Sequence, residues 1–517
     1  MINIHRQSIL QATVLLTAIA FVSRVLGFFR EVVIASIFGA KAITDAYLVA
    51  QVLPLTLAGL VGGALTTVFI PVFLEEKEKN GEDKAWYAAN TILSVSLVYL
   101  IIALFLSYLF TEQFLKLIAP GFPRDRLELA VLMTRLLLPS LLFYGTLGIL
   151  TGLSQSYKQF LIPGIGGLLH NICIILSVVT LGRSLPPFSL ALGNVLGVFL
   201  QTFLVFLYLK NRMPYIKWHI DFSHPAVKKT FYLMIPILLG TSISYLNIII
   251  DRIFASGLPE GSISALNFSA RVKDLPVSLF ASSLSVAIYP TTSELVVEGK
   301  NNKIIELLNR SIRLIWLIVI PATIGLIVLD KEIIKLLFER GAFDSRATIL
   351  TAGALRYYSL GLFASAVGPI IARVFYSFQD TVTPVVVGFF AIGLNICLNA
   401  ILIRVIAHLG LALATSMSSI FSFILLLILL RKKLGYIGGR KLLFDFTKIL
   451  FSSLIMGSIL LFSKNYLDFI GSEFLRIIVL ILLGISVYSI IMLLIMSEER
   501  EKLKTILARF IRKSTFR

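Results

Sequence analysis

Charged side chains are scarce in this chain: 15% of its 517 residues are Asp, Glu, Lys or Arg, and 28 are acidic against 47 basic. Soluble proteins carry about 25% charged residues, so this composition argues against a water-soluble globular protein. A hydrophobic share of 57% and a mean hydropathy of +0.91 indicate a membrane-embedded chain. The net charge of +19 predicts basic loops that face anionic lipid headgroups. It does not indicate nucleic-acid binding, because the chain has no soluble domain to carry a basic face.

Cysteine and histidine are also rare, with two and five residues. Cys173 and Cys397 both lie in apolar segments, which indicates small buried side chains and no disulfide framework. The histidines are scattered, without the HExxH, CxxC or paired spacing of a metal centre. The sequence has no P-loop and no catalytic-triad spacing, so nothing in it indicates nucleotide hydrolysis or nucleophilic catalysis.

Long apolar segments are what the chain has in abundance. A bilayer-spanning helix needs about 20 apolar residues. Fourteen such segments occur, in chain order at 9–38, 45–74, 86–110, 127–153, 160–181, 187–209, 229–256, 263–292, 308–329, 347–376, 382–405, 408–430, 444–463 and 474–496. They predict an all-α polytopic membrane protein. Basic residues cluster at 210–229, at 431–441 and in the tail 498–517. These clusters share one side if the helices alternate, and the positive-inside rule makes that side, and both termini, cytoplasmic.

The charges outside the apolar segments are expected to be solvated. The run Glu75–Lys84 (EEKEKNGEDK) is predicted to be a loop between the second and third helices. The tail 498–517 is basic and partly amphipathic, so we expect it to lie on the inner leaflet.

The chain also repeats itself with an offset of about 221 residues. Five matches occur in the same order in both copies: Phe122 and Phe343, Arg135 and Arg356, Pro163 and Pro384, Asn171 and Asn395, and Leu53 and Leu275. Six helices fit in one repeat, and an even number gives both copies the same orientation. Parallel repeats of this kind are a transporter architecture. We therefore predict lobes at 1–215 and 216–435, two further helices at 436–497 and the tail 498–517.

Arginines inside apolar segments are the strongest functional signal. Arg24, Arg30 and Glu31 lie in the first segment, although a charge at membrane depth costs about 2.5–3.5 kcal/mol. Two planar guanidinium groups suit a phosphate or diphosphate. At about 100° per residue the two arginines are about 240° apart, so a bend at Gly27 would be needed to aim both at one cavity. The alternative is structural ion pairing, of Arg24 with Glu31 or of Arg30 with Asp45.

Two further arginines are candidates for the same cavity. Arg271 lies in the eighth segment, where Asp274 could neutralise it or Lys273. Arg373 lies near the cytoplasmic end of the tenth segment, where its side chain could instead extend to the membrane surface.

A cation site is a separate hypothesis. Asn395 and Asn399 are four residues apart, on one face of the eleventh helix, and Thr415 lies on the twelfth. With Asp251 on the seventh they offer the oxygen ligands that a hard cation such as Na⁺ prefers. The alternative for Asp251 is a local ion pair with Arg252 or an outer-surface position.

The sequence resembles the MurJ/MviN family, the lipid II flippases of the MOP superfamily. The matching pieces are SRVLGFFRE, FGAKAITDAYLVAQVLP, the PVF–EEKEKNGED boundary, APGF and FYSFQDTVTP, in the family's order over the whole length. The resemblance implies fourteen helices, two six-helix lobes, a central cationic cavity for a diphosphate–sugar headgroup, and a groove of the last two helices for a polyprenyl tail.

The resemblance also implies site residues. Arg24, Arg30, Asp45 and Arg271 match positions that matter in the family, and the residues of the cation hypothesis match its cation site more loosely. One departure lies in the second helix, where the family usually has an arginine and then an acid–glycine pair. This chain has Ala58 and Gly59, then Gly62 and Gly63.

We therefore expect a monomeric flippase of the bacterial inner membrane that moves lipid II to the outer leaflet by alternating access. It would be no enzyme and would need no cofactor beyond a Na⁺ coupling ion. Its expected partners are the lipid-linked glycan, membrane lipids and cell-wall synthesis proteins, with no nucleic acid.

Four alternatives stay open. The first is a flippase for another polyprenyl-linked glycan of the O-antigen or teichoic type, which the missing helix-two arginine favours. The second is a multidrug or cation exporter, which would need acidic residues in its cavity, whereas the charges inside the apolar segments of this chain are mostly arginines. A polyprenyl glycosyltransferase would need catalytic carboxylates, and no Asp-x-Asp occurs. A membrane scaffold would leave the repeat and the buried arginines unexplained.

Overall fold

The structure, a computed structural model, describes residues 9–210, 218–466 and 471–495. Within these ranges the chain forms twenty α-helices and one π-helical turn, with no strand. The predicted all-α class is confirmed. The tail 498–517 and part of the basic cluster at 210–229 lie outside the described residues.

The chain divides into two compact units. The first unit consists of Met1–Ala265 and Arg340–Ala347. Its helices are α1 (Ile9–Phe38), α2 (Ala42–Ala50), α3 (Val52–Asn80), α4 (Glu82–Leu109), α5 (Thr111–Ile118), α6 (Arg124–Leu137), α7 (Ser140–Ser156), α8 (Leu161–Leu181), α9 (Pro186–Lys210), α10 (Pro225–Ala255) and the beginning of α11 (Ser262–Pro276).

The second unit consists of Leu266–Glu339 and Thr348–Arg517. After the end of α11 it contains the π-helical turn Val277–Ala281, then α12 (Ser282–Val297), α13 (Asn301–Val328), α14 (Asp330–Phe338), α15 (Ser345–Ser359), which begins in the first unit, α16 (Leu362–Ser377), α17 (Val382–Ile406), α18 (His408–Leu434), α19 (Gly439–Tyr466) and α20 (Glu473–Ile495). The domain limits at 215, 435 and 497 stay predictions.

Many of these helices are long and apolar enough to cross a bilayer. In the part of the chain that the structure describes, eleven helical stretches meet that condition, or up to 13 if two bent pairs each count as one span. The pairs are Pro225–Ser242 with Tyr245–Ala255, bent by 41°, and Ser345–Ser359 with Leu362–Ser377, bent by 48°. The chain is therefore polytopic. The number fourteen stays a prediction, and α1, with 30 residues, lies outside this count.

The charged run Glu75–Lys84 differs from its prediction as a loop. Helix α3 continues through most of this run and ends directly before Gly81, which has a φ of 85°. Helix α4 begins directly after this glycine. The charges favour this arrangement, because Lys79 lies in the last turn of α3 and Glu82 in the first turn of α4, where each complements the helix dipole. Lys79 also pairs with Glu75 four residues earlier, at 2.8 Å.

Each unit has an aromatic core. In the first unit, where α3, α4, α7, α9 and α10 pack together, the ring of Phe73 lies 5.7 Å from Phe69 and 5.8 Å from Trp86. In the second unit the ring of Trp316 on α13 lies 5.1 Å from that of Phe446 on α19. Large apolar side chains also cover the outside of the helices, such as Phe105, which is 59% exposed. Such surfaces fit a lipid environment, in which apolar residues need no protein partner.

The internal repeat is visible in two turns with the same backbone. Lys158, between α7 and α8, and Gln379, between α16 and α17, have φ of 59° and 58°, and they are 221 residues apart in sequence. The Lys158 N–H donates to the Gln155 carbonyl at 2.8 Å, and the Gln379 N–H donates to the Tyr376 carbonyl at 2.9 Å. Left-handed conformations are uncommon outside glycine, so their recurrence at the repeat offset is a specific likeness.

The residue after each turn is held by the end of a later helix. The Tyr208 hydroxyl of α9 donates to Gln159 Oε1 at 2.7 Å, and Lys433 Nζ of α18 donates to Asp380 Oδ2 at 2.8 Å. The ammonium of Lys433 and bonds from Thr383 hold the pKa of Asp380 below its usual range. The motif FYSFQDTVTP thus has a structural role, since it fastens a turn between two membrane helices.

Candidate functional site

Arg30, on the apolar helix α1, is held by two side-chain hydrogen bonds. Its Nη1 donates to Asn171 Oδ1 at 3.1 Å, and its Nη2 donates to Glu31 Oε1 at 2.6 Å. Asn171, on α8, is buried, and its own Nδ2 donates to the Gly167 carbonyl at 3.1 Å. The guanidinium is therefore fixed by groups on two helices, with 21% of the Arg30 side chain exposed.

The ion pair of Arg30 with Asp45, one alternative from the sequence, is not formed, although the structure describes both residues. Arg30 instead pairs with its neighbour Glu31, a pair that was not predicted from the sequence, and Asp45 has other partners. Among the described residues the buried Nε of Arg30 has no hydrogen-bond acceptor. Gly27 lies one turn earlier, where a Cβ would stand 3.7 Å from Asn171 Oδ1. Arg24 is exposed on the same helix, which is the accessibility that a ligand-binding arginine needs.

Asp45 on α2 is 1% exposed and binds the beginning of another helix. Its Oδ2 accepts from the Gly261 N–H at 2.7 Å, and its Oδ1 accepts from the Ser264 N–H at 2.8 Å and the Ser264 hydroxyl at 2.5 Å. Arg126 Nη1 lies 3.9 Å from the carboxylate. A carboxylate at a helix N-terminus satisfies N–H groups that have no partner inside the helix.

These contacts make Asp45 an anchor for the start of α11. A second hydrogen bond joins the same two segments, since Glu260 Oε1 accepts from the Ala42 N–H at 2.8 Å. Gly261 has a φ of 87°, a conformation that favours glycine, and the Ala40 carbonyl occupies the space that a Cβ would need. Direct contact of Asp45 with a substrate stays a prediction, and the geometry shows a structural task for its two oxygens.

The second unit contains the other arginine candidates. Arg271 on α11 is exposed. Arg373 on α16 is half-buried, and its guanidinium lies 5.6 Å from the centre of the Tyr289 ring. Asp274 lies beside Lys273, whose Nζ is 3.2 Å from Asp274 Oδ1. The acid thus pairs with the lysine, which was one of the two alternatives for it.

The residues of the cation hypothesis are distributed over both units. Asp251 lies in the first unit, and Asn395, Asn399 and Thr415 lie in the second. Asn399 Nδ2 donates to Asn395 Oδ1 at 2.9 Å, and the Thr415 hydroxyl donates to the Leu411 carbonyl at 3.0 Å. An amide oxygen has two lone pairs, so Asn395 Oδ1 can accept this bond and still face a cation. In the described ranges no three His, Cys, Asp or Glu residues form a metal-binding group, and Na⁺ binding stays a prediction.

Sequence reasoning missed two contributors to these arrangements. Asn171 was noticed only as part of the repeat, and Ser264 was not noticed at all. A signal for Asn171 existed, since it is an amide in an apolar segment whose repeat partner Asn395 is also buried. Ser264 carried no such signal, because its bond to Asp45 joins residues 219 positions apart.

The sequence model of the family described as "Lipid II flippase MurJ" matches residues 34–497. The chain belongs to the MurJ family. A Vibrio cholerae member, named "Probable lipid II flippase MurJ", is 32% identical over 507 residues, which cover 94% of this chain and 96% of that protein. A Burkholderia cenocepacia member, named "Lipid II flippase MurJ", is 28% identical over 476 residues, 90% of this chain and 92% of that protein.

Solved structures agree with MurJ membership. A structure titled "Lipid II flippase MurJ, inward closed conformation" matches with a TM-score of 0.79 and 30% identity, over 93% of this chain and 98% of that one. An inward-facing multidrug resistance MATE transporter of the MOP superfamily matches with a TM-score of 0.68 and 13% identity, over 80% of this chain and 95% of that one. The latter likeness is one of fold alone.

The helix-two departure from the MurJ pattern has a structural counterpart. Ala58 is 5% exposed on α3. At Gly59 the hydroxyl of Tyr245, on α10, occupies the space that a Cβ would need. A larger side chain at position 59 therefore requires Tyr245 to move. In this MurJ-family chain a tyrosine stands beside the position at which the family resemblance implies an arginine.

We expect Gly59→Ala to lower the unfolding midpoint of the purified protein, because overpacking a filled position costs about 1–3 kcal/mol. Gly63→Ala, on the same helix, is a matched control, since nothing lies within 4 Å of its Cβ position, and we expect it to leave the midpoint unchanged or slightly raised. In a Tyr245→Ala background the cost of Gly59→Ala should disappear. Equal midpoints for the two glycine variants would show that Tyr245 does not fill this space.

Proposed function

We propose that this chain flips lipid II, the polyprenyl-diphosphate-linked peptidoglycan precursor, from the inner to the outer leaflet. The observation that carries the proposal is the MurJ family match over residues 34–497, together with relatives named as lipid II flippases over most of the chain. The fixed guanidinium of Arg30 inside a membrane helix supports it, because the substrate carries a diphosphate. Translocation needs no covalent chemistry, so this is transport and no enzymatic reaction.

The proposed mechanism is alternating access by rocking of the two predicted six-helix lobes. Arg24, Arg30 and Arg271 bind the diphosphate, since guanidinium groups form two parallel hydrogen bonds with phosphate oxygens. Arg30 is held by Glu31 and Asn171, so little side-chain freedom is lost when it binds. Na⁺ or the membrane potential resets the carrier, as a charge that crosses the membrane is worth about 2.3 kcal/mol per 100 mV.

The polyprenyl tail stays in lipid beside α19 and α20 in this proposal. An apolar cleft of 390 Å³ in the second unit supports it, with a lining that includes Pro321 on α13, Met456 on α19 and Ile481 on α20. Hydrocarbon chains suit such a lining because it offers apolar contact along its length. The remaining expectations are proposals too: an inner-membrane location, cytoplasmic termini, a monomer, and contacts with cell-wall synthesis proteins.

A second candidate function is the flipping of another polyprenyl-linked glycan. One observation favours it, since Ala58 and Gly59 replace the helix-two arginine and Tyr245 fills the space beside Gly59. The diphosphate would bind as before, and the difference would concern the sugar.

The test is growth rescue of a bacterium depleted of its own lipid II flippase. We expect the wild type to rescue growth, and we expect Arg24→Ala and Arg271→Ala to lose rescue at equal membrane abundance. Arg183→Ala, in the exposed turn between α8 and α9, is the matched control and should rescue fully. Rescue by all variants would keep the substrate and remove both arginines from the site. Failure of a well-expressed wild type would favour the second candidate.

A further inference from the structure

A second cleft lies in the second unit, where α18 ends and α19 begins. It has a volume of 440 Å³, and one wall is formed by Ile424, Leu427 and Ile428 on the last turns of α18. Arg431 and Arg440 line the same cleft, one from each helix. The cleft therefore joins a hydrocarbon wall to two guanidinium groups.

Arg431 and Arg440 are both exposed at this cleft. Within the described residues neither Arg431 nor Arg440 forms an ion pair. The nearby acids have other partners, as Asp380 pairs with Lys433 at 2.8 Å and Asp445 lies 4.0 Å from Arg313. Two exposed guanidinium groups beside one cavity are complementary to an anion.

The loop that closes the cleft is held in place. Asn309 Nδ2 on α13 donates to the Ile437 carbonyl at 3.1 Å, and Ile437 is buried. Gly435 and Gly438 have φ of 81° and 74°, which allows the chain to turn within four residues. Because the hydrogen bond and the two turns hold the loop in place, little ordering cost opposes binding.

The position of the cleft decides what kind of anion fits. It lies at the ends of two helices that are long and apolar enough to span a bilayer, where we expect lipid headgroups. Tyr436 in the loop is 68% exposed, and tyrosine is enriched at membrane interfaces. A soluble anion would use the arginines and leave the apolar wall unused. We propose that this cleft binds an anionic phospholipid, with its phosphate between Arg431 and Arg440 and an acyl chain along Ile424, Leu427 and Ile428.

The test compares two double variants that lose the same charge. Arg431→Gln/Arg440→Gln removes the cleft arginines, whereas Lys432→Gln/Lys441→Gln removes exposed neighbours that do not line the cleft. Native mass spectrometry of the purified full chain would measure retained phosphatidylglycerol and phosphatidylcholine. We expect the arginine variant to lose phosphatidylglycerol affinity roughly tenfold, because charge-assisted hydrogen bonds are lost, and the lysine variant to keep it.

Two further experiments test whether the apolar wall and the acyl chains contribute to binding. Ile428→Trp fills the cleft without a charge change and should weaken retention of phosphatidylglycerol, with the unfolding midpoint as a check of folding. Glycerol phosphate, which lacks acyl chains, should not compete at equal concentration. Competition by glycerol phosphate would identify a soluble-phosphate site, and equal losses in both double variants would indicate diffuse surface charge. Either result would overturn the proposal, and neither depends on growth rescue, so the proposed function is tested separately.

Discussion

Arg30→Ala is expected to abolish growth rescue of a strain depleted of its own lipid II flippase. Arg30 is held by Asn171 and Glu31, so its guanidinium is already oriented before a diphosphate arrives. Arg30→Lys should rescue partially, because an ammonium keeps the charge and loses the fixed donor geometry of the guanidinium. Growth and membrane abundance of each variant, measured together, check this expectation.

A structural effect of the same substitution must be separated from a loss of substrate binding. Removing one partner of a buried ion pair costs about 3–5 kcal/mol, and Glu31 has a side chain that is only 7% exposed. Arg30→Ala/Glu31→Gln also removes the negative charge that Arg30 neutralised, and it should restore the unfolding midpoint without restoring growth. If the double variant grows like the wild type, Arg30 serves only as the counter-ion of Glu31.

The helices were predictable because lipid imposes a length and a composition on every spanning segment. Helix breaks were less predictable, since they depend on single residues. The predicted span 127–153 contains a break at Leu138 and Pro139, between α6 and α7. The run Glu75–Lys84 shows the opposite error, because charge predicts exposure to water and exposure is compatible with a helix whose charges suit its ends.

The site was predictable to the level of residue type and no further. The apolar context marked Arg30 as costly and therefore as paired or functional, but several acids were equally available as partners. The actual arrangement pairs Arg30 with its neighbour Glu31 and with Asn171, 141 residues away. Such a choice depends on which helices pack together, which periodicity does not encode. Asp45 shows the same limit, as its partners lie 216 and 219 residues away.

The repeat was the exception, because it carries long-range information in the sequence itself. The offset between Phe122 and Phe343 predicted equivalent loops, and the structure gives both residues the same hydrogen bond to the carbonyl three positions earlier, at 3.1 and 3.2 Å. Internal repeats thus reveal local equivalence. They do not reveal partners, since Gln159 binds a tyrosine where Asp380 binds a lysine.

Asp45→Ala is expected to lower the stability of the purified protein by roughly 3–5 kcal/mol, since each buried donor left without an acceptor costs about 1–3 kcal/mol. The Gly261 N–H, the Ser264 N–H and the Ser264 hydroxyl all lose their acceptor. Asp45→Asn keeps one carbonyl oxygen and should lose about half as much. The unfolding midpoint in detergent measures both, and Asp83→Ala, an exposed acid in the first turn of α4, is the matched control.

The same variants decide whether Asp45 anchors α11 or also contacts the substrate. An anchor acts through the position of a helix, so growth rescue should fall in parallel with the unfolding midpoint across Asp45→Asn, Asp45→Ala and Ser264→Ala. Ser264→Ala removes one donor from the anchor and leaves the Asp45 carboxylate charged. A variant of Asp45 that keeps its midpoint and loses rescue would contradict the anchor and give the carboxylate a direct role in transport. The geometry predicts that growth rescue and the unfolding midpoint fall together. Ser264→Ala should give values between those of the Asp45 variants and those of the wild type.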